Sequence, residues 1–183
     1  YVRPHLSSRP PDEVVSEVRR LAASGHREVV LSGIHLGRYG EDLAPAAALA
    51  PLVERLVALP ELGRLRLSSI EAGEVTAHLV ELMAREGQRL CPHLHLPLQS
   101  GDDDVLRRMR RPYTAEAFAA CVERVRAAVP GLAVTTDVIV GFPGETPAAF
   151  ERTCDMVRRV QASRVHVFPY SPRRGTPAAD LPD

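Results

Sequence analysis

The sequence predicts an α/β protein organised around a parallel sheet. Short apolar runs alternate along the chain with longer segments whose apolar residues recur at helical spacing. No two of these runs are joined by the short turn of a β-hairpin, so we expect a helix to connect each strand to the next one in the sheet. A chain of 183 residues, 45% of them hydrophobic, is long enough to bury one core. We therefore expect one domain of parallel β/α units.

Five apolar runs are predicted to be strands. The run at 27–31 is rich in valine and ends at Ser32 and Gly33, whereas the run at 91–98 alternates between apolar and polar residues. The run at 132–140 is nearly continuously apolar, a pattern typical of a strand with both faces buried. The five predicted strands cover residues 27–31, 64–68, 91–98, 132–140 and 164–170.

Helical spacing fills the segments between the strands. The first helix begins at Pro10–Asp12, where proline and an acid suit a helical first turn, and Gly25 is a plausible stop. Thr114 is placed to cap the fifth helix. The later helices are predicted at residues 46–58, 74–86, 102–109, 114–128 and 147–161. Residues 1–170 thus form the domain, and residues 171–183, rich in Pro, Arg and Ala, are predicted to be a linker.

Charge and composition restrict the classes of function. Lys and Arg number 23, as do Asp and Glu, so the formal net charge is zero. A stand-alone nucleic-acid binder is usually basic, and this balance argues against one. No apolar stretch approaches the roughly 20 residues of a membrane helix, so we expect no membrane partner. Cys91, Cys121 and Cys154 lie far apart and are expected to be buried apolar residues in a cytoplasmic protein.

Small and polar residues stand at the carboxyl end of every predicted strand. In parallel α/β folds these ends form the functional site. Glycines there let the backbone approach a ligand, and Ser, Gln and Glu side chains bind hydroxyl or ammonium groups. The five turns read SGIHLG at 32–37, SSIE at 68–71, QSG at 99–101, GFPGE at 141–145 and FPYS at 168–171.

These turns and the strands before them resemble the radical S-adenosylmethionine (radical SAM) core of the tRNA methylthiotransferases. The matching phrases are SGIHLGRYG at 32–40, LRLSSIE at 65–71, HLHLPLQSG at 93–101, DVIVGFPGET at 137–146 and FPYSP at 168–172. The first two phrases look like the branch that acts on N6-threonylcarbamoyladenosine at position 37 of tRNA. The isopentenyladenosine branch and the ribosomal-protein branch usually differ at those two turns, and both remain alternatives because the distinction rests on two short phrases.

The resemblance implies a fold, two kinds of cofactor and several partners. The fold is a partial, parallel (β/α)6 barrel of which this sequence lacks the first strand. S-adenosylmethionine and 4Fe–4S clusters would be the cofactors, with the Cys-x3-Cys-x2-Cys motif lying ahead of Tyr1. tRNA would be held by flanking domains, and an electron donor protein would reduce the cluster. On this interpretation residues 1–183 should not do the chemistry alone.

The resemblance also assigns candidate cofactor residues. Gly33 and His35 would present backbone to the methionyl amino group, and Ser68 and Glu71 would bind that group or the ribose. The polar pair Gln99 and Ser100 is expected to point into the cofactor cup. Arg111 would pair with the methionyl carboxylate. Gly141 and Glu145 would lie along the adenine, on which Tyr170 would stack. The radical chemistry requires no acid or base from the protein, so no catalytic residue is predicted. No metal-binding residue is predicted either, because the cluster cysteines would lie ahead of Tyr1.

Two interpretations from other classes stay open. His93, His95, Asp137 and His166 fall on predicted strands and would be the ligands of a metal-dependent barrel hydrolase. They stand several residues before the carboxyl ends, however, inside the barrel and away from the site face. A non-catalytic RNA-associated remnant is the second interpretation. Zero net charge and 4% aromatic residues disfavour base stacking by this domain alone.

Overall fold

The structure, a computed structural model, describes residues 5–181. Tyr1 and the last two residues of the predicted linker lie outside the described residues. The strands are β1 (Glu28–Leu31), β2 (Arg64–Leu67), β3 (His93–His95), β4 (Ala133–Val140) and β5 (Arg164–Pro169). The helices are α1 (Pro11–Ala23), α2 (Leu49–Val57), α3 (Ala77–Glu86), α4 (Asp103–Arg108), α5 (Ala115–Ala128) and α6 (Pro147–Arg159).

All the strand pairs run parallel and follow the order of the sequence. β1 pairs with β2, and β3, β4 and β5 form a second sheet in that order. Single parallel bridges at Leu65–Leu90 and Ser69–His95 connect the two sheets between β2 and β3. The predicted parallel β/α fold is therefore confirmed, and the arrangement is that of a partial barrel.

Strand β3 is much shorter than the predicted strand at residues 91–98. Pro92 and Pro97 flank it, and proline has no backbone N–H to give to a neighbouring strand. The parallel path nevertheless continues, because the N–H of Leu96 donates to the carbonyl of Thr135 and the N–H of Gln99 to that of Asp137. Single backbone hydrogen bonds, rather than a continuous ladder, thus hold residues 96–99 beside β4 as far as the carboxyl edge of the sheet.

Side-chain caps decide where several helices begin. The hydroxyls of Thr76, Thr114 and Thr146 each accept the backbone N–H three residues ahead, and the Asp102 carboxylate does the same at α4. Helix α3 therefore starts after Thr76 rather than at residue 74. The preceding residues form a separate 3₁₀ turn, Ala72–Glu74.

The two faces of the sheet have different surroundings. Leu65, Leu94 and Val134 point to the helix layer and are fully buried. On the opposite face Thr135 and Asp137 are only half-buried. The expectation that both faces of residues 132–140 would be buried is therefore wrong. The reason is that this face lines the open interior of the partial barrel, where polar side chains are tolerated.

The segment after β5 folds back on the domain. Pro177–Asp180 forms a 3₁₀ turn, and Ala178 and Leu181 pack against a small cluster that includes Val105 and Phe142. The linker role predicted for residues 171–183 stays a prediction, but its described part contacts the barrel. Among residues 5–181, no helix combines the length and the apolar character needed to cross a membrane.

Candidate functional site

The turns that follow β1 and β2 stand side by side at the carboxyl edge. Leu36–Arg38 and Ala72–Glu74 are both 3₁₀ turns. The side chain of Glu74 fills the space beside Gly37, so only glycine fits there. Glu74 also accepts the backbone N–H of Glu71, at 3.3 Å from its Oε2, and this bond holds the second turn. Burial raises the pKa of the Glu74 carboxyl.

A cleft of about 570 Å³ opens between these turns and the segment linking α4 to α5. Three predicted site residues, His35, Glu71 and Arg111, line it together with Arg38 and Arg110. Arg111 Nη1 donates to Glu71 Oε1 over 3.2 Å, and both side chains are partly exposed. The cleft therefore contains an opposed cation and anion that solvent can reach.

Tyr113 fixes the far wall of this cleft. Its hydroxyl donates to the carbonyls of Pro97 and Leu98, at 3.0 and 3.3 Å, and so ties the α4–α5 segment to the end of the β3 path. Burial raises the pKa of the Tyr113 phenol to about 12. The phenol therefore remains a neutral donor over the physiological pH range.

A second cleft, of about 1000 Å³, separates residues 5–9 from β1 and its turn. Gly33 and His35 both border it and are exposed. Ser68 lies at the end of β2, and its Oγ is buried without a hydrogen-bond partner among the described residues. A buried hydroxyl without a partner is rare, because such groups are normally satisfied by protein, water or a ligand.

The residues of the Gln99–Ser100 pair take different roles. Gln99 is buried with φ of +65°, and its carbonyl accepts the N–H of Ile139. Ser100 is fully buried, and its Oγ lies 3.3 Å from Thr153 Oγ1 on α6. The Ser100 hydroxyl also accepts the backbone N–H of Asp102. The pair was expected to point together into the cup, but Ser100 faces the helix layer.

The loop after β4 is a closed, hydrogen-bonded turn. The N–H of Gly141 donates to Glu145 Oε2 over 2.6 Å, and the other oxygen of Glu145 is buried without a described partner. Gly141 has φ of +71° and open space on the side where a Cβ would stand. The Tyr170 ring packs edge-on against Phe142 with centroids 5.1 Å apart, and its buried hydroxyl also lacks a described partner.

Arg108, the last residue of α4, supports this loop. Its Nη1 donates to the carbonyl of Pro143 over 3.2 Å, and its guanidinium occupies the space beside Gly144. Arg107 on the same helix is exposed, and among the described residues its side chain pairs with Asp104 alone. This loop contains two glycines three residues apart, Gly141 and Gly144. Their spacing is the signal in the sequence that another group approaches the backbone here.

Three of the four residues considered as metal ligands converge on the inner face of the sheet. Asp137 Oδ2 lies 3.1 Å from His95 Nε2, and Asp137 Oδ1 lies 3.1 Å from His166 Nδ1. His93 does not join them, since its Nε2 contacts Thr135 Oγ1. As expected from their positions in the strands, these groups lie below the carboxyl edge.

The comparisons with known proteins identify the superfamily. The sequence model of the family described as "Radical SAM superfamily" matches residues 1–157. The chain belongs to this superfamily. The structure of the radical S-adenosylmethionine methyltransferase TsrM from Kitasatospora setae superposes with a TM-score of 0.69 at 20% identity, covering 88% of this chain and 31% of that one. The Escherichia coli coproporphyrinogen III oxidase HemN gives 0.63 at 16% identity, covering 89% and 38%. These likenesses show the fold.

Curated relatives are similar along most of the chain. Threonylcarbamoyladenosine tRNA methylthiotransferase MtaB of Bacillus subtilis is 45% identical over 183 residues, which are 100% of this chain and 40% of the relative. The MtaB of Thermotoga maritima is 44% identical over 96% of this chain and 40% of its own length. A tRNA-2-methylthio-N(6)-dimethylallyladenosine synthase of Parafrankia is 47% identical over 94% and 35%. The chain thus spans about 40% of the first two of these relatives.

Radical SAM enzymes use S-adenosylmethionine and a 4Fe–4S cluster, and cysteine thiolates hold such clusters. Cys91 and Cys121 are buried and Cys154 is half-buried. Burial raises the pKa of the Cys91 and Cys121 thiols, which disfavours thiolates. The grouping of potential metal ligands found within residues 5–181 contains no cysteine. Cys91 and Cys121 are thus buried, as the sequence predicts, and do not fit a cluster site, whereas the prediction of burial is wrong for Cys154.

Proposed function

We propose that the protein containing this chain is a radical SAM tRNA methylthiotransferase that acts on N6-threonylcarbamoyladenosine at position 37. The similarity to tRNA methylthiotransferases over the whole chain carries this proposal. The matching phrases at all five strand ends support it, because parallel strands bring those ends to one edge. The activity, the substrate and the partners belong to the whole protein.

Several residues at this edge fit S-adenosylmethionine. One buried polar atom in each of Ser68, Glu145 and Tyr170 has no hydrogen-bond partner within residues 5–181, and these atoms are suited to ribose and adenine groups. Open space beside Gly141 admits a flat ring against the backbone. When bound and reduced by a 4Fe–4S cluster, S-adenosylmethionine supplies a 5′-deoxyadenosyl radical. The described residues bind and orient the cofactor, and we assign them no acid or base role.

The ion pair between Arg111 and Glu71 suits the zwitterionic end of the cofactor. The methionyl group carries a carboxylate and an ammonium on one carbon. Arg111 would take the carboxylate and Glu71 the ammonium, so that binding exchanges one ion pair for two charge-assisted contacts. His35 lines the same cleft, and Gly33 precedes it in the turn. Ser100 is left out of this set because its hydroxyl is engaged with Thr153.

The choice of substrate branch rests on the turns after β1 and β2. Overall identity does not separate the branches, since the Parafrankia relative from the isopentenyl side reaches 47%. The two turns are in contact through Gly37 and Glu74 and line one cleft. Arg38 in its wall is paired with Glu41, whereas the Arg110 guanidinium makes no ion pair among the described residues and is available to a carboxylate. A threonylcarbamoyl group carries a carboxylate and suits such a wall, whereas an isopentenyl group is a hydrocarbon.

We assign the main contacts of the two partners, tRNA and an electron donor protein, to parts of the protein outside residues 5–181. With zero net charge, this domain has no general attraction for a polyanion, so we assign the main tRNA contacts to flanking domains. An electron donor protein would reduce the cluster.

Complementation tests the proposal. The full-length gene is expressed in a strain that lacks its own threonylcarbamoyladenosine methylthiotransferase, and tRNA nucleosides are analysed by mass spectrometry. We expect methylthio-threonylcarbamoyladenosine to reappear, and the Arg107→Ala variant, changed on the exposed face of α4, to restore it equally. The gene is also expressed in a second strain, which lacks its isopentenyladenosine methylthiotransferase. If methylthio-isopentenyladenosine reappears there, and methylthio-threonylcarbamoyladenosine does not reappear in the first strain, the protein belongs to the sister branch. No methylthiolated nucleoside, with clusters intact, would refute the proposal.

A further inference from the structure

The inner face of the sheet carries a group of side chains that the proposed function does not use. His95, Asp137 and His166 come from β3, β4 and β5, respectively. One potential ligand atom from each of them lies within 4.8 Å of the other two. The two imidazole rings face each other with centroids 5.8 Å apart. Three adjacent strands therefore direct a carboxylate and two imidazoles to one point.

The register of the strands produces this convergence. Asp137 and His166 are partners in the β4–β5 ladder, and His95 is the partner of Thr135, two residues before Asp137. Residues paired across parallel strands lie on the same face, as do residues two apart in one strand. The three side chains are thus held by backbone geometry rather than by flexible loops.

A hydrogen bond to Thr135, on the side of the ring away from Asp137, fixes the orientation of His95. Its Nδ1 lies 2.9 Å from Thr135 Oγ1, so its Nε2 points to Asp137. In histidines that bind metals, a hydrogen bond made by the ring nitrogen that does not bind the metal fixes the orientation of the ring. His95 is also the more enclosed of the two, with 15% of its side chain exposed against 44% for His166.

We propose that His95, Asp137 and His166 form a binding site for a divalent cation of the Zn²⁺ class. Two imidazoles and one carboxylate are a ligand set that borderline divalent metals take up. Three protein ligands leave at least one coordination position for water or another oxygen ligand from the barrel interior. The ion would also join β3, β4 and β5 below the cofactor edge.

This site is separate from an iron–sulfur cluster and does not depend on the proposed function. Its ligands are nitrogen and oxygen atoms, whereas the cluster requires thiolates. Its test is accordingly a binding measurement that gives the same answer whether or not the protein methylthiolates tRNA. The competing interpretation is a purely hydrogen-bonded network in which the Asp137 carboxylate accepts a hydrogen bond from each histidine.

The experiment counts Zn²⁺ bound by the full-length protein after reconstitution of its iron–sulfur clusters. Equilibrium dialysis is combined with elemental analysis, and zinc X-ray absorption reports the ligand atoms. We expect about one Zn²⁺ per polypeptide with nitrogen and oxygen ligands. The isosteric variant Asp137→Asn and the variant His166→Ala, changed at an exposed position, should each lower the affinity by more than the roughly 10- to 100-fold that loss of an outer hydrogen bond costs.

Two further variants make the result specific. Thr135→Val removes the hydrogen bond behind His95 and should weaken binding by roughly 10- to 100-fold without abolishing it. His78→Ala removes an exposed histidine of α3 near Glu54 and should leave binding unchanged. Absence of Zn²⁺ from the wild type would overturn the proposal. So would Zn²⁺ that persists in the Asp137→Asn variant or that has only sulfur ligands.

Discussion

Gly37 lies directly against the side chain of Glu74, across the boundary between the turns that follow β1 and β2. A Cβ at position 37 would overlap the Cβ of Glu74 as well as its carboxylate. The Cβ belongs to the root of the side chain and cannot move without the backbone of the second turn. Since both turns line the cleft with Glu71 and Arg111, this contact sets the shape of the candidate site.

The first prediction follows from this contact. Replacing Gly37 by alanine should lower the free energy of unfolding by about 1–3 kcal/mol, the usual cost of overpacking, measured by urea denaturation. Gly73→Ala is the matched control, because Gly73 is in the neighbouring turn and its Cβ would meet no atom of the described residues within 4 Å. That control should change stability by less than about 0.5 kcal/mol. Equal losses in both variants would contradict the packing argument.

The second prediction concerns Arg111. Its replacement by alanine removes the group assigned to the methionyl carboxylate and should weaken S-adenosylmethionine binding by about 1.5–3 kcal/mol, measured by titration calorimetry on the reconstituted full-length protein. Arg107→Ala is the control, since Arg107 is exposed and pairs with Asp104 on its own helix. Unchanged cofactor affinity in the Arg111 variant would assign this arginine to the Glu71 ion pair alone.

The main features of the fold were predictable from local patterns. Apolar runs and the absence of hairpin turns indicate parallel strands, and Thr114 and Thr146 cap helices close to the predicted starts. Length is harder to predict. The run at 91–98 has strand character throughout, yet Pro92 and Pro97 limit its ladder because the missing N–H groups break the pairing.

The site was predictable only as a set of strand ends. Glu71 and Arg111 are 40 residues apart, and their ion pair depends on how the α4–α5 segment packs. Nothing local shows that Ser100 would find its partner in Thr153, 53 residues away. Arg108 looks like an exposed helix residue until the loop after β4 is placed beside it. Such contacts come from tertiary packing, which periodicity does not encode.

The third prediction concerns alkaline pH. Burial raises the pKa of Tyr113 from 10.0 to about 12 in the folded protein. The neutral phenol is therefore favoured by folding, and its contribution to stability is complete below pH 10 and decreases as the pH rises toward 12. Urea denaturation across this range should show the decrease, and it should be smaller in Tyr113→Phe. An identical pH profile in this variant would exclude Tyr113 as the source.

The fourth prediction separates backbone strain from cofactor binding at Gly141. Gly141 has φ of +71° and stands at the carboxyl end of β4, whereas Gly131 has φ of +73° and stands before its amino end. At neither glycine would a Cβ lie within 4 Å of another atom in the described part of the chain. Alanine therefore costs each position mainly the left-handed backbone strain, about 1–2 kcal/mol. Gly141→Ala and Gly131→Ala should thus lower stability similarly in urea denaturation.

Only the Gly141 variant should also weaken S-adenosylmethionine binding. An added methyl group at position 141 would occupy the open space assigned to the adenine and disturb the bond to Glu145, whereas position 131 is at the opposite end of the strand. Titration calorimetry on the reconstituted protein measures the difference. Because the two variants share the same strain, an equal loss of affinity would trace the effect to general destabilisation. Retained affinity in Gly141→Ala would remove this loop from the cofactor site.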